Sequence, residues 1–131
     1  MKKILVPLDG SALSESALSL AEELAAQLRS EIVLVTVGEL AETGDHAREE
    51  AKELRQRLES AARKIKAPTR IRIVEAGDAS RGILETIDEE QANMVVMSTH
   101  GRSGLSEMAQ GSVAKEVLRH AKVPVVLRRP S

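Results

Sequence analysis

Met94-Val95-Val96-Met97-Ser98 runs straight into Thr99-His100-Gly101-Arg102-Ser103-Gly104. The run is apolar on both faces until Ser98, so it reads as a strand covered on both sides. Past the glycines, Gly111-Ser112 opens a helix to His120, with Val113, Val117 and Leu118 expected inward. Val123-Pro124-Val125-Val126-Leu127 then reads as a closing strand. Strand, glycine-bearing loop, helix and strand make one crossover unit, and such a unit joins parallel strands.

The same alternation extends back to the first residues. Residues 4–8 form a short apolar run stopped by Asp9-Gly10, and Ser11 can cap a following helix. In that helix Leu13, Ala17, Leu20, Ala21, Leu24 and Leu28 recur at helical spacing. Residues 31–37 read as a second strand and 38–44 as a loop. A charged helix over 45–66 carries Ala47, Ala51, Leu54, Leu58 and Ile65 as its inward stripe and ends before Pro68. Residues 71–75 read as a third strand and Gly77-Asp78 as a turn. Ile83, Leu84 and Ile87 mark a helix reaching Gln91. The order β-α-β-α-β-α-β-α-β predicts an α/β three-layer sandwich: a five-stranded parallel sheet with helices on both faces, in a single domain over 1–131.

Composition narrows the function. The 131 residues are 42% hydrophobic but include no Phe, Tyr or Trp, so the core is Leu, Ile, Val, Ala and Met. No aromatic platform exists on which bases can stack, which argues against single-stranded nucleic acid as a partner. The formal charge is −1, with 19 basic and 20 acidic residues, so nothing draws the chain to nucleic acid or an anionic membrane. Cysteine is absent, which removes disulfides and thiol chemistry. No apolar run approaches the roughly 20 residues that span a bilayer, and the first residues do not read as a signal peptide. A soluble, cytoplasmic protein is expected.

In an open parallel sheet, ligands gather beyond the carboxyl ends of the strands. Those ends carry Pro7-Leu8-Asp9-Gly10-Ser11, Val37-Gly38 and Met97-Ser98-Thr99-His100-Gly101. The stretch 101–112 brings Gly101, Gly104 and Gly111 to the start of a helix. Glycines allow close backbone approach to an anion, and the first helical amides point at the same place. That is a phosphate site built without lysine. The same glycines equally make ordinary turns, and Ser112 equally serves as a helix cap. Asp9 is a candidate ligand or a cap, His100 a phosphate contact or a surface histidine, and Met97 a pocket edge or plain core. The lysine-bearing phosphate loop and a G-x-G-x-x-G after the first strand are both absent.

Residues 94–127, with Ser98-Thr99-His100-Gly101-Arg102-Ser103-Gly104 leading to Gly111-Ser112-Val113-Ala114, resemble the signature region of the universal stress protein family. The opening Ile4-Leu5-Val6-Pro7-Leu8-Asp9-Gly10-Ser11 and the closing strand are similar to that family as well. The resemblance implies a Rossmann-like fold of the adenine nucleotide alpha hydrolase type. The family's ATP-binding motif, G-x2-G-x9-G followed by a hydroxyl residue, falls here on Ser98, Gly101, Gly111 and Ser112, with serine in the first glycine's place. By the same resemblance, Pro7, Leu8, Val37 and Met97 would line an adenine pocket. Asp9 would approach the ribose or a phosphate-bound Mg2+ or Mn2+. Gly101, Gly111, Ser112 and Val113 would hold phosphates, with His100, Arg102 and Gly104 beside them.

Two other uses of such a sheet fit poorly. A phosphoacceptor receiver needs a second aspartate after a later strand, and Ser98-Thr99 stands there. A flavin carrier needs its phosphate loop after the first strand, where only Asp9-Gly10-Ser11 is found. A weak ATPase and a nucleotide-independent dimer of the same family remain as alternatives, the second favoured by Ser98. A homodimer is expected through the last strand, whose Val123, Val125, Val126 and Leu127 leave an apolar edge without a central charge.

Overall fold

Alternation along the strands divides the core in two. In β1 (Lys2–Pro7), Leu5 packs to one side and Ile4 and Val6 to the other; in β2 (Ser30–Gly38), Val33 and Val35 oppose Ile32 and Leu34. Side chains alternate across a strand, so a run apolar at every position needs cover on both faces. Among the described residues the cover comes from four helices: α1 (Leu18–Leu28), α2 (Asp45–Arg63), α3 (Ala79–Glu90) and α4 (Ser112–His120). These data come from a computed structural model that describes residues 2–9, 15–38, 45–98 and 112–129, the side chains of 45–47 excepted.

With β3 (Thr69–Glu75), β4 (Met94–Ser98) and β5 (Val125–Arg128), the strands form one sheet in the order β3-β2-β1-β4-β5, every neighbouring pair parallel. One face packs against α3 and α4 through Ile83, Ile87, Val113, Ala114 and Val117. The other packs against α1 and α2 through Ala17, Ala21, Ala25, Leu58 and Ala61. Each fully buried Leu, Ile or Val contributes about 1.5–3 kcal/mol relative to exposure, so the two aliphatic layers are the main source of stability.

The elements differ from the sequence reading at their ends. The expected helix start at Ser11 lies outside the described residues; α1 begins at Leu18 behind Ala17, which has no capping side chain. Its last expected inward residue, Leu28, is exposed, and Arg29 closes the helix in the left-handed region at φ 53°. In α2 the inward stripe holds at Leu58 and weakens toward the start, where Ala51 is exposed. Leu118, expected inward on α4, is 55% exposed. The last strand starts at Val125 rather than Val123; ahead of it, Pro124 joins the ladder only through its carbonyl, which accepts from Val95 N at 3.0 Å.

The amino-terminal edge of the sheet is tied by ions. Arg70 and Arg72 occupy the α3-facing side of β3, where an aliphatic layer would otherwise meet solvent. Arg72 donates to Glu90 at 3.0 Å and to Glu89 at 2.8 Å; Arg70 donates to Glu90 at 2.5 Å, and Lys3 lies 3.4 Å from Glu90. Burial alone would push the Glu90 carboxyl up; the hydrogen bonds from Arg70 and Arg72, with Lys3, outweigh it and hold the group below its ordinary value. This cluster pins the end of α3, while the start of α3 faces the opposite edge.

Candidate functional site

Strand order reverses between β1 and β4, since β2 and β3 lie on one side of β1 and β4 and β5 on the other. A crevice forms outside the carboxyl ends of strands at such a switch. Here it is a cavity of about 460 Å³, within the ~300–1,000 Å³ typical of small-molecule sites.

Backbone bonds place its walls. After β1, Leu8 N donates to Val35 O at 2.8 Å, and Leu8 O accepts from the buried Thr36 hydroxyl at 2.8 Å. This locks Pro7-Leu8-Asp9 against β2 and sets Asp9 at the mouth, half-buried, with its Oδ2 shielded from solvent. Ala76 N donates to Gly38 O at 3.1 Å, joining the ends of β2 and β3. Pro7, Leu8, Val35, Val37, Ile83 and Val113 make the apolar part of the lining. Asp9, Asp78, Ser80, Ser112 and Glu116 make the polar part.

Two helix starts reach this cavity. That of α3 is capped by its own Asp78, whose Oδ1 accepts from Ser80 N at 2.8 Å, Ser80 Oγ at 2.7 Å and Arg81 N at 3.4 Å. The Ser80 hydroxyl first, then the Arg81 and Ser80 amides, hold the Asp78 carboxyl below its ordinary value. The Ser80 and Arg81 amides at the start of α3 are thus served from within by Asp78.

Of the residues singled out from sequence, Pro7, Leu8, Asp9, Val37, Ser112 and Val113 come together on the cavity wall. Met97 does not line it; it is fully buried in the cluster beneath, with Val35, Ile83 and Val113. Ser98 is buried at the end of β4. His100, Gly101, Arg102, Gly104 and Gly111 lie outside the described residues. Gly38, named with Val37 at the end of the second strand, lines the cavity as well; sequence reasoning missed Val35, Ile83, Glu116 and the turn 76–80. For the turn a signal existed: Gly77-Asp78 stands at the carboxyl end of β3, where the rule applied to the other strands holds equally.

Among the described residues, no group of three or more His, Asp or Glu side chains is placed to hold a metal. Mg2+ commonly binds through one or two carboxylates plus substrate phosphates, and Asp9 fits that partial role. Among the described residues, no helix is long and apolar enough to cross a membrane.

Residues 1–129 match the universal stress protein family as a whole. The universal stress protein YxiE of Bacillus subtilis is 32% identical over 148 residues, covering 97% of this chain and 98% of that protein. Among solved structures, the universal stress protein from Archaeoglobus fulgidus superposes with a TM-score of 0.77 at 27% identity, covering 97% of this chain and 98% of that one. The structure of the universal stress protein from the same organism in complex with dAMP gives 0.75 at 25% identity, covering 97% of each.

Proposed function

Since the chain belongs to the universal stress protein family, we propose that it binds an adenine nucleotide in the cavity at the β1–β4 switch, taking ATP as its Mg2+ or Mn2+ complex. The observation that carries the reading is the convergence of Asp9, Val37 and Ser112 on one 460 Å³ cavity. The dAMP bound by the Archaeoglobus fulgidus protein supports the ligand class.

In this reading Pro7, Leu8 and Val37 grip the base between aliphatic faces. The amides of Ser112 and Val113 receive phosphate, with the loop residues His100, Gly101, Arg102, Gly104 and Gly111 around it. Asp9 meets the ribose or the metal. A metal held there by Asp9 would offset the phosphate charge. These donors act on ground-state phosphates, and uniform binding does not speed chemistry, so hydrolysis is slow or absent. The chain then works as a single-domain, cytoplasmic binding module in a stress response.

A second part of the proposal is a homodimer. β5 borders the sheet beyond β4, with Val123, Val125 and Val126 half-buried and Leu127 38% exposed. Two such edges about a twofold axis pair their backbone groups and cover these side chains.

Calorimetry with AMP and with Mg-ATP tests the site. Ser112→Asp keeps a residue favoured at a helix start yet sets a negative charge where phosphate binds. It should weaken both ligands at least about tenfold, with thermal stability kept. Binding to neither ligand at millimolar concentration sinks the proposal.

A further inference from the structure

Resting on the nucleotide reading, we propose that Glu116 makes the cavity discriminate by phosphate charge, admitting a nucleoside monophosphate directly and a triphosphate only with a divalent cation. Ser112 and Glu116 stand four positions apart on α4, so they share a face, and helical side chains lean toward the helix start. Both line the cavity. Glu116 therefore shares a cavity wall with Ser112, where the proposed phosphate lies, while its carboxylate oxygens reach toward Arg119 and His120.

Among the described residues, the rest of the lining does not offset it. Asp9 and Asp78 add two further carboxylates, and the described lining residues include no Lys, Arg or His. Asp78 is committed to capping α3. The partners of Glu116, His120 at 3.5 Å and Arg119 at 3.7 Å, are 55% and 72% exposed and lie outside the cavity wall. Exposed pairs of this kind are weak and screened. A like charge at about 8 Å and an effective dielectric of about 40 weakens binding roughly fivefold for the nearest ligand charge, and less for each charge farther off. The handicap thus grows with phosphate number and falls when a metal neutralises the chain. His100 and Arg102 act alike in every protein compared below, so differences isolate Glu116.

The test is calorimetry on the full chain with adenosine, AMP, ATP in EDTA and ATP in excess Mg2+. Wild type is compared with Glu116→Gln, which keeps the side-chain shape, and with Glu116→Lys. The gain in affinity should rise in the order adenosine, AMP, metal-free ATP, reaching about tenfold or more for the last. It should be larger for lysine than for glutamine and smaller for ATP with Mg2+. An equal gain for adenosine and metal-free ATP, or none in either variant, overturns the charge filter while the nucleotide reading stands. Failure of the wild type to bind adenosine, AMP or Mg-ATP overturns both.

Discussion

Gly82 is the point where the fold and the cavity meet, and Gly82→Ala tests that junction. A Cβ at Gly82 would lie 2.8 Å from both Cγ atoms of Val37 and 3.2 Å from Ala76 Cβ. Val37 is a short, β-branched side chain on β2 and cannot swing clear as a long one would. In an open helix the change would stabilise by up to about 1 kcal/mol through propensity. Overpacking at this distance costs about 1–3 kcal/mol, so the net effect is a loss of about 0.5–2 kcal/mol. For a chain of this length that is a fall in Tm of roughly 2–8 °C. Val37 also lines the cavity, so its displacement should weaken nucleotide binding in the same variant. Thermal unfolding followed by circular dichroism reads the first effect and calorimetry the second. In a Val37→Ala background the two shortest contacts are gone and only the 3.2 Å approach to Ala76 remains, so Gly82→Ala should turn neutral or stabilising. A higher Tm in the wild-type background, or an equal loss with Val37→Ala, means that Val37 does not limit the space at Gly82.

Two further expectations concern the edges of the sheet. Glu90→Gln leaves Arg70 and Arg72 without their shared carboxylate, and because both arginines are partly solvated the cost should be about 1–3 kcal/mol by denaturant melts. Glu90 is held below its ordinary value, so its contribution is present above the unfolded carboxylate value and lost as pH falls through the lower native one; the stability gap between wild type and Glu90→Gln should close in that acid range. Val126→Lys should convert a dimer to monomer in light scattering at tens of micromolar while helical circular dichroism persists, and a wild-type monomer there removes the β5 interface.

The sheet was legible because β1, β2 and β4 are apolar on both faces, a pattern that only a strand with cover on two sides explains. Ends were less so. Val123 packs against the core without joining the ladder, and apolar character alone does not separate the two conditions. Leu118 fits the helical period of α4, yet that helix is narrow and already buries Val113, Ala114 and Val117. In the site, Asp9, Val37 and Ser112 were found because each stands at a strand's carboxyl end or a helix start. Glu116 drew no reading from the sequence, and nothing local distinguishes it from Lys115 or Arg119. The turn 76–80 lay in plain view, but its meeting with α4 depends on β3 and β4 lying on opposite sides of β1. Met97 marks the converse case, a residue next to the loop in sequence that the strand turns wholly into the core.

The proposed adenine nucleotide occupies the cavity between the end of β1 and the start of α4. The chain lacks aromatic residues and is rich in Ile, Leu and Val, so methyl-labelled nuclear magnetic resonance during an AMP titration reads it directly. Saturable shifts are expected at the methyls of Val35, Val37, Ile83 and Val113, with Leu28 and Val126 unmoved. No shifts at millimolar AMP, or shifts confined to methyls away from that cavity, contradict that placement.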